Sequence, residues 1–173
     1  MPFDSRGDNG FFRGPVSPYF HKSLALAAVV FVLDQLTKWW ILEKVMQPPR
    51  VIPITPFFNL VLGWNRGVSF GLFNTDSAIN DWLLPVITAG IAFSLVVWLY
   101  RAERRRVAVG LALIVGGAVG NLIDRLRFGA VADFLDIHVF GWHWPAFNVA
   151  DSGITIGAMV ILADALLTRE KMP

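Results

Sequence analysis

The segment GGAVGNLIDRLRFGAVADFLDIHVFGWHWPAFNVAD, residues 116–151, joins two strongly apolar stretches of the chain. It contains the four aspartates Asp124, Asp133, Asp136 and Asp151. A carboxylate within or beside the hydrocarbon layer of a membrane is costly, so acids in such a position indicate a functional site. The segment therefore predicts a membrane protein whose chemistry depends on carboxylates.

The composition agrees with a membrane protein. Of the 173 residues, 55% are hydrophobic and only 16% are charged, whereas a soluble domain is about 45–50% apolar even when glycine is counted. The seven tryptophans suit the interfacial belts of a membrane protein. The net charge of +2 gives no support to a nucleic-acid partner, and the absence of cysteine excludes thiol catalysis and disulfides.

Four stretches are long and apolar enough to cross a bilayer as helices, which takes about 17–25 residues. They lie at about 24–45, 82–100, 107–123 and 150–167. In the third, Gly116, Gly117 and Gly120 favour close helix packing. We expect residues 22–170 to form one integral-membrane domain, preceded by a disordered cytoplasmic tail at residues 1–21.

The basic residues predict the orientation of the spans. The loop RAERRR, residues 101–106, joins the second and third spans and is the densest basic cluster in the chain. Because short basic loops remain in the cytoplasm, both termini are expected there too, in a multi-pass membrane protein. Segments 46–81 and 124–149 would then face the periplasm.

Segment 46–81 is rich in β-branched and aromatic residues interrupted by Pro and Gly, which predicts short strands joined by turns. The predicted fold class is a mainly α membrane protein. Its four transmembrane helices would carry a small periplasmic β-sheet as a cap, leaving a cleft at the membrane edge.

The sequence GVSFG, residues 67–71, matches the nucleophile-elbow pattern G-x-S-x-G. That motif requires a turn from a strand directly into a helix, with acid and His partners downstream. No helical pattern follows directly after this segment. We therefore interpret its glycines as part of a tight strand or turn, and we do not interpret Ser69 as a nucleophile.

A metal site is a further possibility, because Asp133, Asp136, His138 and His143 lie close together in the sequence. Their spacing matches none of the zinc-binding motifs, and the histidines fall in a loop rich in Trp and Phe. We predict no metal, and the roles of Asp136, His138 and His143 remain open.

Four charged residues next to or within the spans are predicted to be structural. Asp34 and Lys38 are four residues apart on one helix and therefore share a face, which favours a salt bridge between them. Asp124 is expected to pair with its neighbour Arg125 at the outer end of the third span. Asp164 lies near the inner end of the fourth span, beside Arg169, and is expected to be paired or to extend to the interface.

Asp133 and Asp151 remain as a candidate catalytic pair. Asp133 lies in GAVADFL, which predicts a short strand or an interfacial segment, and Asp151 opens the fourth span, where it could cap the helix. Two carboxylates that share one site cannot easily both ionise, so one serves as an acid and the other as a base. Such a pair can activate water against an amide without a metal.

Several motifs occur in one order along the chain: D-Q-x-x-K from Asp34, W-N-R-G-V-S-F-G from Trp64, G-N-x-x-D-R from Gly120, V-A-D-F from Val131 and F-N-V-A-D-S from Phe147. In these motifs the chain resembles the lipoprotein signal peptidase (signal peptidase II) family, the membrane aspartic proteases of bacteria. The resemblance covers most of the chain except about the first twenty residues and the last few. One departure is Ala132, where the family usually has valine.

The resemblance implies that the substrate is a diacylglyceryl-modified prolipoprotein, cut just before its lipidated cysteine. It also implies contact with membrane lipid, no cofactor and a monomeric enzyme with its active site at the periplasmic face. The catalytic residues would be Asp133 and Asp151. The residues that support the site or bind the peptide would be Asn65, Gly67, Asn121, Arg125 and Asn148.

We expect one aspartate, ionised, to take a proton from water while the other, protonated, hydrogen-bonds the scissile carbonyl. The helix dipole favours Asp151 as the ionised member. Two alternatives use the same acids differently. A small proton-coupled transporter would use them as a relay, although such sites usually lie on broken helices near the bilayer midplane. An assembly scaffold would need them only for folding.

Overall fold

The computed structural model describes residues 16–67 and 78–169; the side chains of residues 78–81 and of residue 169 are not described. The helices are α1 (Phe20–Trp40, continued by a π-helical turn at Ile41–Val45), α2 (Ala78–Tyr100), α3 (Arg105–Phe128) and α4 (Val149–Arg169). The strands are β1 (Ile52–Thr55), β2 (Phe58–Asn65), β3 (Val131–Val139) and β4 (Trp142–His143). This confirms the predicted fold class of four candidate membrane helices with a small sheet. Ser69 lies outside the described residues.

Helix α3 is the central helix of the bundle. Of its apolar span 61% is buried, against 28% or less in the other three. Its small residues allow this position: a Cβ at Gly116 would lie 2.5 Å from the backbone oxygen of Ala27 in α1, and one at Gly117 would collide with the backbone of Ala150 in α4. Because both neighbours approach α3 so closely, the residues along α3 can contact α1 and α4 together.

Helix α3 extends beyond the predicted end of the third span at residue 123. It ends at Phe128 and is followed by Gly129, which has a left-handed φ of 69° and donates its N–H to the carbonyl of Arg125. Asp124 and Arg125 therefore lie on the last turns of a packed helix and not in an outer loop. Asp124 is 1% exposed, and the partners that make this possible come from other elements.

The four strands form one antiparallel sheet in the order β1-β2-β3-β4. An irregularity in β2 between Leu60 and Gly63 resets the register so that Gly63 lies opposite Asp133. Strands β3 and β4 are joined by Phe140 and Gly141, both with positive φ, which is the geometry of a two-residue type I′ hairpin turn.

The sheet covers one end of the bundle. Ile41 and Met46, which follow α1, form a buried apolar cluster with Phe134 of β3. Val149, the first residue of α4, packs against the same cluster. Since β3 carries Asp133 and α4 carries Asp151, this contact fixes the two elements that bear the candidate catalytic residues.

Candidate active site

The start of α4 is held by a reciprocal cap between Asn148 and Asp151. The Asp151 N–H donates to Oδ1 of Asn148 at 2.9 Å, and the Asn148 N–H donates to Oδ2 of Asp151 at 3.2 Å. This arrangement is the capping box, here with Asn and Asp in the two positions. Asp151 therefore does cap its helix, as the sequence suggested, and its second carboxylate oxygen remains for other contacts.

The Asn148 side chain also connects the two aspartates. Because its Oδ1 accepts the hydrogen bond from Asp151, its Nδ2 is free to donate, and it lies 2.7 Å from Oδ1 of Asp133. Asn148 is fully buried and Asp133 is 4% exposed. The structure thus brings Asp133 and Asp151 together around one oriented amide.

Asp133 receives a second hydrogen bond from the Asn65 side chain at the end of β2. The orientation of this amide is also fixed, since the Gly67 N–H donates to Oδ1 of Asn65 at 2.9 Å. Gly67 has a φ of 118°, a region that side chains strongly disfavour, and a Cβ there would overlap Leu84. Gly67 therefore contributes to the site through Asn65.

Asp133 lies in an environment that favours its protonated form. Burial, together with the nearby Asp151 carboxylate, raises the pKa of Asp133 to about 6, and the hydrogen bonds from Asn65 and Asn148 limit the rise. Asp151 instead accepts hydrogen bonds from Asn148 N–H and, at 2.7 Å, from Nδ2 of Asn121. One carboxyl is thus suited to hold a proton and the other to carry the charge.

Arg125 lies on α3 within electrostatic range of Asp133, Asp151 and Asp124. Its Nη1 donates to the backbone oxygen of Asn121 at 3.3 Å. Within the described part of the chain, its Nε is buried without a hydrogen-bond partner. This guanidinium N–H is therefore a donor that the described side chains leave unsatisfied.

The predicted salt bridge between Asp34 and Lys38 is present, at 2.9 Å, and Lys38 is only 3% exposed. The predicted pairing of Asp124 with Arg125 is corrected: Asp124 forms its ion pair with Lys38 at 2.8 Å. Consecutive residues on a helix point in different directions, so Asp124 faces α1 and Arg125 does not. Asp164 is paired as expected, with Arg104 at 2.8 Å.

An open cavity of about 270 Å³ adjoins Asp133. Its lining comes from the ends of β2 and β3 and from the segment before α4. The lining residues are Gly63, Trp64, Asn65, Asp133, Pro145 and Ala146. A peptide backbone in this cavity would lie beside the Asp133 carboxyl.

Asp136, His138 and His143 form a separate cluster on the β3–β4 hairpin. Asp136 accepts hydrogen bonds from Asn59 at 2.8 Å and from Nδ1 of His143 at 2.8 Å, and the two imidazole rings stack with their centroids 4.8 Å apart. Burial favours the neutral Asp136 carboxyl, but these hydrogen bonds and the nearby imidazoles outweigh burial and lower its pKa. Among the described residues no group of three or more acids and histidines is arranged to hold a metal ion.

Sequence reasoning gave no role to Gln35, although Gln35 belongs to one of the matching motifs. Its Nε2 lies 3.1 Å from carboxylate oxygens of both Asp34 and Asp124 and 3.3 Å from the backbone oxygen of Gly120. It therefore joins α1 to α3 directly beneath the site. Its position between two buried carboxylates depends on the packing of α1 against α3, which the sequence alone does not show.

Four membrane-length helices that position a pair of aspartates at one end define a multi-pass membrane aspartic peptidase. The family model described as Signal peptidase (SPase) II matches residues 26–167, and this chain belongs to that family. The family membership confirms the recognition made from the sequence motifs and the predicted class of enzyme, an aspartic protease.

Curated relatives support the same assignment. The lipoprotein signal peptidase of Sphingopyxis alaskensis is 41% identical over 157 residues, which cover 90% of this chain and 91% of that protein. The one from Methylobacterium sp. is 45% identical over 149 residues, covering 86% and 90%. A bacterial membrane enzyme solved by the in meso method at 2.3 Å resolution superposes with a TM-score of 0.76 and 30% identity, covering 92% of this chain and 96% of the other.

Proposed function

We propose that this enzyme removes the signal peptides of diacylglyceryl-modified prolipoproteins by cutting before the lipidated cysteine, with Asp133 and Asp151 as the catalytic pair. Family membership and the curated relatives named lipoprotein signal peptidase support the activity. The observation that carries the choice of residues is the Asn148 side chain, which hydrogen-bonds both aspartates. Family membership favours this peptidase over the proton-coupled carrier.

In the proposed reaction Asp151 is ionised and Asp133 is protonated. Asp151 takes a proton from a water molecule whose oxygen attacks the scissile carbonyl carbon, while Asp133 gives its proton to the carbonyl oxygen. The product of this step is a gem-diol. Asp133 then recovers a proton from a gem-diol hydroxyl, and the C–N bond breaks as the proton on Asp151 passes to the leaving amine.

The raised pKa of Asp133 supports this division of roles, because a carboxyl with a pKa of about 6 donates a proton more readily near neutral pH than a fully ionised one could. The Asp151 carboxylate accepts hydrogen bonds from Nδ2 of Asn121 and from the Asn148 N–H at the start of α4. These hydrogen bonds stabilise its negative charge.

The peptide backbone would lie in the cavity beside Asp133, within the electrostatic range of the Arg125 guanidinium. The signal-peptide helix and the lipid chains would lie against the bundle in the bilayer.

We place the site at the periplasmic face of the inner membrane and both termini in the cytoplasm, because the basic loop 101–106 lies at the opposite end of α3 from the aspartates. We also propose that the enzyme acts as a monomer.

The test is cleavage of a purified diacylglyceryl-modified prolipoprotein in detergent with EDTA present. Wild type and Asp136→Asn should cleave, because Asp136 lies on the same strand but outside the network of the pair. Asp133→Asn and Asp151→Asn should lose at least about 1,000-fold in kcat/KM while remaining folded. Normal cleavage by either of these folded variants would overturn the catalytic assignment, and activity that EDTA abolishes would point to a metal enzyme.

A further inference from the structure

The most extensive buried polar network of the described residues lies beneath the catalytic pair and centres on Lys38. Its ammonium group contacts Oδ2 of Asp34 at 2.9 Å, Oδ2 of Asp124 at 2.8 Å and Oδ1 of Asn121 at 3.0 Å. An ammonium group has three N–H donors, so these three acceptors satisfy it completely. Lys38 itself does not touch the cavity beside Asp133.

Each of the three acceptors continues to an element that carries a catalytic aspartate. Asp34 accepts the backbone N–H of Ala150, beside Asp151, through Oδ1 at 2.9 Å. Asp124 accepts the backbone N–H of Ala132, beside Asp133, at 3.2 Å. Asn121 donates directly to Asp151 at 2.7 Å.

The contact with Asn121 also determines which way its amide points. With Oδ1 held by the ammonium group, Nδ2 faces the Asp151 carboxylate. The reversed amide would direct its NH₂ group at a cation and its oxygen at an anion, and both contacts would be repulsive. The positive charge of Lys38 therefore keeps a hydrogen-bond donor directed at Asp151.

From these contacts we infer that Lys38 is a positioning residue that sets both the geometry and the ionisation of the catalytic pair. The inference rests on the proposed function and adds a residue that acts through others. The charged groups that surround the catalytic pair lie on two helices, and each helix contributes one acid and one cation. They are Asp34 and Lys38 of α1 and Asp124 and Arg125 of α3.

The test is the pH profile of kcat/KM for prolipoprotein cleavage. Lys38→Gln keeps a hydrogen-bonding side chain but removes the cation, which makes the ionised carboxylates less stable. Both limbs of the profile should move to higher pH, by about half a unit or more. The maximum should fall about 10- to 100-fold because the Asn121 amide is released. Lys38→Arg, which keeps the charge, should leave the limbs near those of wild type.

Asp124→Asn gives a second test with the opposite sign. The substitution removes a negative charge that partly cancels the charge of Lys38, so both limbs should move to lower pH. The oxygen of the new amide can still accept hydrogen bonds from Lys38 and from the Ala132 N–H. The control is Arg104→Gln, which breaks the ion pair with Asp164 at the other end of the bundle and should leave the limbs unchanged.

Unshifted limbs in folded Lys38→Gln and Asp124→Asn would overturn the inference and reduce Lys38 to a folding role. If Lys38→Gln does not fold, Asp124→Asn decides alone. Failure of the wild type to cleave would instead contradict the proposed function, so the two failures are distinguishable.

Discussion

Asp133 is placed where function and stability conflict. Its pKa is about 6 in the folded protein, against an ordinary value of 3.8, so the folded state holds this proton more tightly than the unfolded state does. Stability from this group is therefore lost as the pH rises from about 4 to 6, and the ionised carboxyl opposes folding by about 3 kcal/mol above that range.

Asp133→Asn should remove this penalty together with the activity. We expect its melting temperature in detergent to exceed that of wild type by a few degrees at pH 7.5 and by nothing at pH 4. The amide oxygen can still accept the hydrogen bond from Asn148, so that contact persists. An equal difference at both pH values would show that burial of the charge is not the cause.

Asp136 on the same strand should behave in the opposite way. The hydrogen bonds from Asn59 and His143 outweigh its burial and lower its pKa, so its charge stabilises the fold above pH 4 and this contribution is lost as acid protonates it. Asp136→Asn should therefore lower the melting temperature at pH 7.5, and the difference should shrink toward pH 3. A variant more stable than wild type at pH 7.5 would contradict this assignment.

At the residue level the sequence revealed the acids but not all of their partners. The bridge between Asp34 and Lys38 was predictable because a helix places residues four apart on one face. The ion pair of Asp124 was not predictable, because its partner Lys38 lies on another helix. The hydrogen bond from the Ala150 N–H to Asp34 was not predictable either. Local spacing carries no information about which helices pack together.

The N-terminus of α4 performs two tasks that substitution can separate. Asn148 caps the helix through Oδ1 and hydrogen-bonds Asp133 through Nδ2. Asn148→Ser should keep the cap but lose the bond to Asp133, while Asn148→Ala should lose both. We expect similar stability for Ser and wild type, a loss of about 1–2 kcal/mol for Ala, and a large loss of cleavage in both.

Unfolding in detergent and cleavage by the same preparations would check this. If Asn148→Ser cleaved like the wild type, the cap alone would account for Asn148, and the link between the two aspartates would have no catalytic role.

The contact between α3 and α4 determines where Asp151 lies. A Cβ at Gly117 would collide with the backbone oxygen of Ala150, so Gly117→Ala should push the start of α4 away and destabilise the protein by about 1–3 kcal/mol. Gly90 in α2 has nothing within 4 Å of its Cβ position, so Gly90→Ala should be neutral or slightly stabilising. Equal melting temperatures for the two variants would contradict the close packing.

The elements themselves were more predictable than their ends. Apolar length revealed the four spans, because nothing else explains such stretches in a chain of this composition. Hydropathy alone ends the third span before the polar residues Asp124, Arg125 and Arg127. Buried ion pairing and the glycine at its C-terminus, not hydropathy, carry that helix to Phe128.

For the whole molecule, the remaining question is which end faces the periplasm. Helix α3 has 24 residues and is therefore about 36 Å long, which exceeds the roughly 30 Å hydrocarbon core of a bilayer. Its start at Arg105 and its end near the aspartates must then lie on opposite sides of the membrane. The basic loop before α3 favours the cytoplasm for the start and the periplasm for the catalytic end.

The chain contains no cysteine, so a single introduced thiol reports one position. Phe140→Cys, at the fully exposed hairpin turn, should react with a membrane-impermeant maleimide on intact spheroplasts. Glu103→Cys, exposed in the loop before α3, should react only after the membrane is permeabilised. The reverse pattern would place the aspartates in the cytoplasm. A signal peptide is cleaved where the mature lipoprotein emerges, so that result would contradict the proposed function at the level of the whole molecule.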